Sequence, residues 1–424
     1  MQGQEIEARP GLWLPTGTMQ GVCMSARPVE QKVTLQDLKR AIDNKEFELH
    51  YQPKVSMVTG EITGAEALIR WRKNDGTLVP PMDFIPLAEE SDFIREITRY
   101  VFGRLVVDCA VISAVNSSLA VSFNASGKDF HDEKLTEIIV EAVNSRLIDA
   151  AKLEIEVTET VLVDEGCARK CLDQLAEIGI PIAMDDFGTG HSGLVELSKW
   201  PFSILKIDQK FIRGLNESAK DREILQASIR MAHQLNMDVV AEGIEDEETY
   251  RVLQEYGCRT GQGYWISKPL PFLEFILFLK QYKNLPAMPI GLLYMAQLDH
   301  IQWRKTLIDT ALFLHGSGEN RELKNLRGSP ELQHTACKLG LWYYDAGRVF
   351  SDVESYRQLE QPHMELHAIG KDLLQAARDH CSMTELAALI QQLSEKSLQV
   401  LEVLQALENS LHVDQYSVPE PLAE

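Results

Sequence analysis

The hydrophobic pattern starts near Thr34 and divides the chain into unlike parts. Residues 1–32 mix Gly, Pro, Gln and Thr without periodicity, the composition of a tail. Leu35 to Lys45 then spaces its apolar residues at helical intervals. Phe47 to Val55 reads as a strand, and Gly60 to Trp71 as a second. Short β-rich runs recur between helical stretches at Leu119–Phe123, Leu153–Val157, Pro181–Met184, Ile204–Ile207, Val239–Ala241 and near Gly263–Trp265. Eight strands separated by helices over residues 33–282 predict an α/β fold, a (β/α)8 barrel, with an open doubly wound sheet as the alternative.

The polar positions choose between them. Nearly every candidate strand ends on a residue capable of ligation or acid–base work: Gln52, Glu66, Asn124, Glu156, Asp185, Lys206, Glu242 and Gln262. A closed barrel brings its strand ends to one mouth, whereas an open sheet spreads them along an edge. The barrel is the better reading.

At residues 283–291 two prolines break the pattern, as in a linker, and beyond them the β signal vanishes. Leu292–Leu314, Pro330–Tyr344, Val349–Arg378 and Met383–Leu411 read as the four helices of a bundle over 292–411, before a tail at 412–424. The stripe in Val400-Leu-Glu-Val-Leu-Gln-Ala-Leu407 belongs to bundle core.

Composition narrows the partners. With Lys plus Arg at 42 against 63 Asp plus Glu, the net charge of −21 argues against a nucleic-acid polymer, whose phosphates need clustered cations. An anionic small substrate is compatible if bound metal reverses the field locally. No run of eighteen apolar residues and no basic-then-apolar leader occurs, so neither membrane insertion nor secretion is expected. Seven scattered cysteines fit a reduced, cytoplasmic protein, and Cys167 and Cys171, one turn apart with no histidine nearby, read as structural.

The chemistry centres on Ala183-Met-Asp-Asp-Phe-Gly-Thr-Gly190, where an apolar run delivers Asp185 and Asp186 at a strand tip before a glycine-rich turn. Two adjacent carboxylates repel unless a cation lies between them, although such a pair in isolation is more often merely solvated. Glu66 and Lys206 each interrupt an apolar run, and Glu154, Glu156 and Thr158 alternate on one strand face. Oxygen ligands without histidine suit Mg²⁺ or Mn²⁺ better than Zn²⁺. Two such ions are a standard device for phosphodiester hydrolysis, and Lys206 could hold the attacking water.

These residues carry a resemblance. Tyr51-Gln-Pro53, Glu66-Ala-Leu68, Phe123-Asn124, Glu156-Val-Thr-Glu159, Asp185-Asp-Phe-Gly188, Lys206-Ile-Asp208, Ala241-Glu-Gly243 and Gly261-Gln-Gly-Tyr264 resemble the EAL domain over about Leu35–Phe278. That family linearises cyclic di-GMP to 5′-pGpG. The resemblance implies a barrel whose first strand runs antiparallel to the others, and a homodimer. It implies one metal on Glu66, Asn124, Glu156 and Asp185, and a second on Asp185, Asp186 and Glu242. Lys206 would orient water beside Gln262, Gln52 and Arg70 would contact substrate, and Glu159 would brace the loop after Asp186. That loop departs from the family at His191 and Gly193. Every ligand is present, which favours an enzyme over a catalytically silent receptor.

In the helical tail, His363 and His367 stand four apart on one helix face, a spacing that arises easily by chance. His300 and Cys337 lie on earlier helices, and His334 rivals His300 for a place among tetrahedral zinc ligands. The series His300-Ile-Gln-Trp303, Cys337-Lys-Leu-Gly-Leu-Trp342, His363-Met-Glu-Leu-His367 resembles the chemoreceptor zinc-binding (CZB) domain. It implies a Zn²⁺ site of His300, Cys337, His363 and His367 that tunes catalysis, with a zinc-indifferent dimerisation bundle as the alternative.

Overall fold

A computed structural model describes residues 33–158, 161–162, 166–187, 197, 199–215, 218–235, 237–286, 290–316 and 330–416. The expected role of Glu159 and the glycine turn after Phe187 fall outside the described residues. The chain separates into two units, the first essentially residues up to 287 and the second the C-terminal helices.

The first unit is a closed barrel. Its strands are β1 Phe47–Ser56, β2 Ile62–Arg72, β3 Leu78–Val79, β4 Ala120–Ala125, β5 Leu153–Thr158, β6 Ile182–Phe187, β7 Ile204–Ile207, β8 Asp238–Ala241, β9 Thr260–Gly261 and β10 Leu270–Pro271. From β2 through β4, β5, β6, β7, β8 and β9 every neighbour is parallel. β1 closes the circle, antiparallel to β2 with Gln52 opposite Glu66 and antiparallel to β9 with Val55 opposite Gly261. Parallel strands covered on both sides need apolar residues on both faces, and β5 and β6 bury Leu153, Ile155, Val157, Ile182 and Met184 completely. The barrel and its reversed first strand match expectation.

β1 and β2 continue pairing as far as Phe47 opposite Trp71, well past Ala67, the last β2 residue that pairs with β4. Gln52 and Glu66 therefore lie within a hairpin instead of at strand tips. The hairpin turns through Gly60 at φ +72°, where an added Cβ would lie 1.9 Å from the Leu285 carbonyl oxygen.

The last barrel strand is Thr260–Gly261, whereas the alternation suggested Gly263–Trp265. Gly263 packs so closely that a Cβ would fall 2.2 Å from the Ile244 nitrogen. Its carbonyl accepts from the amides of Ile266 and Ser267 at 3.1 and 3.0 Å, closing a turn. Trp265 leaves the strand to pack on Tyr250, ring centroids 4.9 Å apart.

The second unit is helical: Ile290–Gly316, Lys338–Tyr344, Glu354–Arg378 and Met383–Tyr416. Val400, Leu404 and Leu407 are fully buried, so the apolar stripe is bundle core. The helix expected over Pro330–Tyr344 is only its last turns. Cys337 is extended (φ −69°, ψ 159°) and its sulfur accepts from the Gly340 amide, so the helix begins there. The third long helix starts at Glu354, because Ala346–Phe350 forms a separate 3-10 turn. Among the described residues no helix is long and apolar enough to cross a membrane.

Candidate functional site

β7 carries a lysine inside the barrel. Lys206 is almost fully buried, and its ammonium meets four carboxylates from four other segments. It donates to Glu156 on β5, and lies 2.7 Å from Glu242 Oε1 just after β8, 3.2 Å from Asp185 Oδ1 on β6 and 3.7 Å from Glu66 Oε2 on β2. Asn124 on β4 donates to Glu66 Oε1 at 2.7 Å, and Gln262 donates to Glu66 Oε2 at 2.7 Å and to Gln52 Oε1 at 3.0 Å. Gln52 donates in turn to the Ser267 carbonyl at 3.1 Å. Charges isolated in apolar runs of sequence thus share one mouth.

The electrostatics follow from crowding. Burial, reinforced by the charge of Glu156, pushes Glu66 up to about 7, and burial with Asp185 and Glu66 pushes Glu242 up to about 8. Burial and the neighbouring Asp185 raise Asp186 to about 6. Burial works against ionisation of Glu156 as well, yet Lys206 and Lys54 hold it well below the ordinary carboxylate range. Lys206 is likewise held charged against burial by Glu156, Glu242, Glu66 and Asp185. Four carboxylates pressed together around one shared ammonium, with Lys54 reaching only Glu156 among them, make an oxygen-rich set that favours further cations, and hard divalent ions fit it.

A cavity of about 270 Å³ opens over this cluster, lined by Gln52, Glu66, Asp185, Lys206, Glu242 and Gln262 among others. Arg70 is not part of the lining; its Nη1 donates to the Ile69 carbonyl at 2.8 Å. Asn124 is exposed, and Asp186 takes φ +56°, its amide donating to Asp185 Oδ1 at 2.9 Å. The structure adds lining residues that sequence reasoning missed: Gln209, Arg213, Glu245 and Tyr264. Arg213 grips Glu245 with Nη2 at 2.6 Å and Nε at 3.0 Å. Lys54 was missed as well: between Gln52-Pro53 and Val55-Ser56 it does not interrupt an apolar run as Lys206 does.

The helical unit holds a second cluster. Donor atoms of Cys337, His363 and His367 lie within 4.8 Å of one another, the one such group of His, Cys, Asp and Glu among the described residues. Cys337 Sγ is 3.2 Å from His363 Nε2, and His367 Nδ1 is buried without a hydrogen bond. Burial pushes His363 down to about 3 and His367 to about 4, so both imidazoles are neutral, the form that ligates metal. Burial raises the Cys337 thiol to about 11 despite the Gly340 and Leu339 amides. A thiol and imidazoles in this proximity, with one orphaned nitrogen, fit zinc. His300 stands apart from the trio: it is buried and its Nε2 is 2.9 Å from Ser397 Oγ. The His334 ring lies 6.1 Å from that of His363 and 6.5 Å from that of His367.

Comparison with known proteins matches two families along the chain. The EAL domain model matches residues 35–269, and the chemoreceptor zinc-binding domain model matches residues 300–374. A cyclic di-GMP phosphodiesterase of Pseudomonas aeruginosa is 40% identical over 238 residues, 56% of this chain and 40% of the relative. The cyclic di-GMP phosphodiesterase PdeR of Escherichia coli is 31% identical over 247 residues, 58% of this chain and 37% of the relative. The chain thus spans well under half the length of either curated relative. Among solved structures, the PaMucR phosphodiesterase in complex with c-di-GMP superposes with a TM-score of 0.54 at 33% identity, covering 57% of this chain and 98% of that one. An EAL domain protein of Listeria monocytogenes superposes with a TM-score of 0.53 at 29% identity, over 59% of this chain and 99% of that one. The chain belongs to the EAL-domain family, and its barrel is followed in sequence by a chemoreceptor zinc-binding domain.

Proposed function

We propose that the barrel hydrolyses cyclic di-GMP to 5′-pGpG, and that zinc in the C-terminal bundle tunes this activity. One observation supports the reading above others: Glu66, Glu156, Asp185 and Glu242 all converge on Lys206 beneath an open cavity, with no ligand lost from the family's pattern. Two Mg²⁺ or Mn²⁺ ions would be held by Glu66, Asn124, Glu156 and Asp185 on one side and by Asp185, Asp186 and Glu242 on the other. When bound, they supply charge stabilisation for the phosphodiester and lower the pKa of water.

The chain's own groups do the rest. Lys206 is a donor held charged by its neighbours, suited to orienting a water toward phosphorus. Gln52 and Gln262 line the cavity and position the dinucleotide, and Arg70 on the same hairpin offers a guanidinium to its phosphate. Water adds across one phosphodiester, its oxygen bonding to phosphorus as the 3′-oxygen leaves with a proton. Glu159 would support the loop after Asp186, and a homodimer is the expected working form. Zinc would take Cys337, His363 and His367, with His300 as fourth ligand.

Purified protein with Mg²⁺ should convert the cyclic dinucleotide to its linear product, and Glu66→Ala should abolish conversion. Tight binding without turnover at saturating Mg²⁺ and Mn²⁺ would instead make the barrel a receptor. Turnover with and without a zinc-selective chelator at fixed Mg²⁺ tests the bundle's part.

A further inference from the structure

Four charged groups run in alternating sign through the barrel interior: Glu154, Lys54, Glu156, Lys206. Lys54 is only 4% exposed, and its ammonium lies 2.8 Å from Glu154 Oε1 and 2.8 Å from Glu156 Oε1. Lys206 takes the other oxygen of Glu156, Oε2. Glu156 has no exposed surface, so both of its oxygens are held by buried ammonium groups from opposite sides of the barrel, β1 and β7. Gly64 stands opposite Lys54 in the β1–β2 hairpin, and the close neighbour of a Cβ there would be the Ala120 carbonyl oxygen at 2.8 Å, with the Lys54 stem in ordinary contact at 3.9 Å.

The two lysines are not equivalent. Lys206 is shared among four carboxylates and lines the cavity, so it faces whatever enters. Lys54 is not part of the cavity lining, and its two partners are both on β5. The terminal torsion of a glutamate is broad and two-fold, so the carboxylate plane is set by its partners and not by its own rotamer. A cation that moves with the ligand cannot set it; one that stays behind can.

We propose that Lys54 is a positioning residue for Glu156: it fixes Oε1 from the closed side so that Oε2 keeps its orientation toward the Lys206 side when Lys206 turns from Glu156 to substrate or water. Glu154 is the counter-charge that keeps Lys54 in place. This rests on the metal-dependent reading given under Proposed function, and it concerns a ligand in that reading whose two oxygens are both ion-paired.

Lys54→Met alone leaves Glu154 and Glu156 facing each other without a cation, so the informative protein is the charge-balanced Lys54→Met/Glu154→Gln. Mn²⁺ binding to the full chain is followed by electron paramagnetic resonance at fixed pH. The share lost in Glu66→Gln defines the barrel site. The double variant should keep a cooperative melting transition and bind the barrel Mn²⁺ about 10-fold or more weakly, as expected for loss of a group that orients a ligand. Its kcat should fall with KM for cyclic di-GMP little changed, and Glu154→Gln alone, whose amide oxygen still accepts from Lys54 while Glu156 keeps the ammonium paired, should lose less Mn²⁺ affinity than the double variant. Parental Mn²⁺ affinity in the folded double variant would overturn the role of Lys54. If the parent shows no Glu66-dependent Mn²⁺, the metal reading itself fails and the role of Lys54 falls with it.

Discussion

Gln262 donates to Glu66 across 196 positions of sequence, Nε2 to Oε2 at 2.7 Å, although β9, which Gln262 directly follows, and β2 are not neighbours. β1 lies between them, and its Gln52 accepts from the same Gln262 nitrogen at 3.0 Å. One buried amide therefore ties the two strands flanking β1 to each other at the level of the carboxylate cluster. Its Oε1 is buried without a partner, an acceptor open to a donor on a bound ligand.

Gln262→Leu keeps the size of the side chain and removes both donations. Losing a hydrogen bond to a charged group costs about 1.5–3 kcal/mol, which is roughly 10- to 150-fold in kcat/KM if the bond serves the transition state. Product formation measured chromatographically at several substrate concentrations checks this. Unaltered kcat/KM in a folded variant would show the tie to be structural only.

Removing the central ammonium tests what holds the carboxylates together. In metal-free Lys206→Met, Glu66, Glu156, Asp185 and Glu242 lose their common cation, and breaking a buried pair costs about 3–5 kcal/mol, on the order of 10 °C in Tm for a domain of this size. Mg²⁺ should recover more of that loss than it adds to the parent, while turnover stays absent. Thermal unfolding in chelator and in Mg²⁺ gives both numbers. Equal metal-free Tm values for variant and parent would contradict the arrangement.

Much of this site was legible because a charge inside an apolar run has few destinations. Glu66, Glu156 and Lys206 stand out that way, and the barrel gathers them. Lys54 gave no such signal, flanked as it is by Gln52-Pro53 and Ser56, and its grip on Glu156 depends on β1 facing β5 across the interior, a relationship no local pattern carries. Arg213 and Glu245 look like surface residues in sequence, since their pairing depends on where the end of the Gln209–Arg213 helix meets the loop after β8. The turn at Gly263 was hidden for a different reason. Tyr264 and Trp265 have strand composition, and only the close approach of Ile244 ends the strand before them. In the bundle, Cys337 read as mid-helix because nothing in its spacing marks a helix start.

Asp129 supplies a pH test remote from the carboxylate cluster. It is buried, accepting from Thr98 Oγ1 at 2.9 Å and the Ser126 amide at 2.8 Å, and burial lifts it from 3.8 to about 6. A carboxyl whose folded value is raised holds its proton more tightly folded than unfolded. Its contribution is fully present below 3.8 and is lost as pH rises through about 6. The shift amounts to roughly 3 kcal/mol. Asp129→Asn cannot ionise, so the Tm of the variant minus that of the parent should climb between pH 4 and 7. A flat difference would mean that Asp129 is ionised at little cost.

The fourth zinc ligand is the sharpest question in the bundle. Cys337, His363 and His367 form the compact trio, and the resemblance adds His300, which instead meets Ser397 at 2.9 Å. A tetrahedral site needs one more donor, and His300 could serve only by giving up Ser397. His334 competes from the segment before Cys337, where its carbonyl oxygen would lie 1.8 Å from a Cβ at residue 340, so Gly340 is what lets that segment pass. Co²⁺ substitution separates the two histidines, since tetrahedral thiolate-bound cobalt absorbs strongly in the visible and loses intensity as the site opens. Parent and His334→Ala should give the same tetrahedral spectrum, His300→Ala a weakened one, and Cys337→Ala none. A weakened spectrum in His334→Ala with a parental one in His300→Ala would transfer the ligand role to His334. Gly340→Ala should act on both, displacing the Cys337 turn and lowering metal content even though residue 340 offers no side-chain donor.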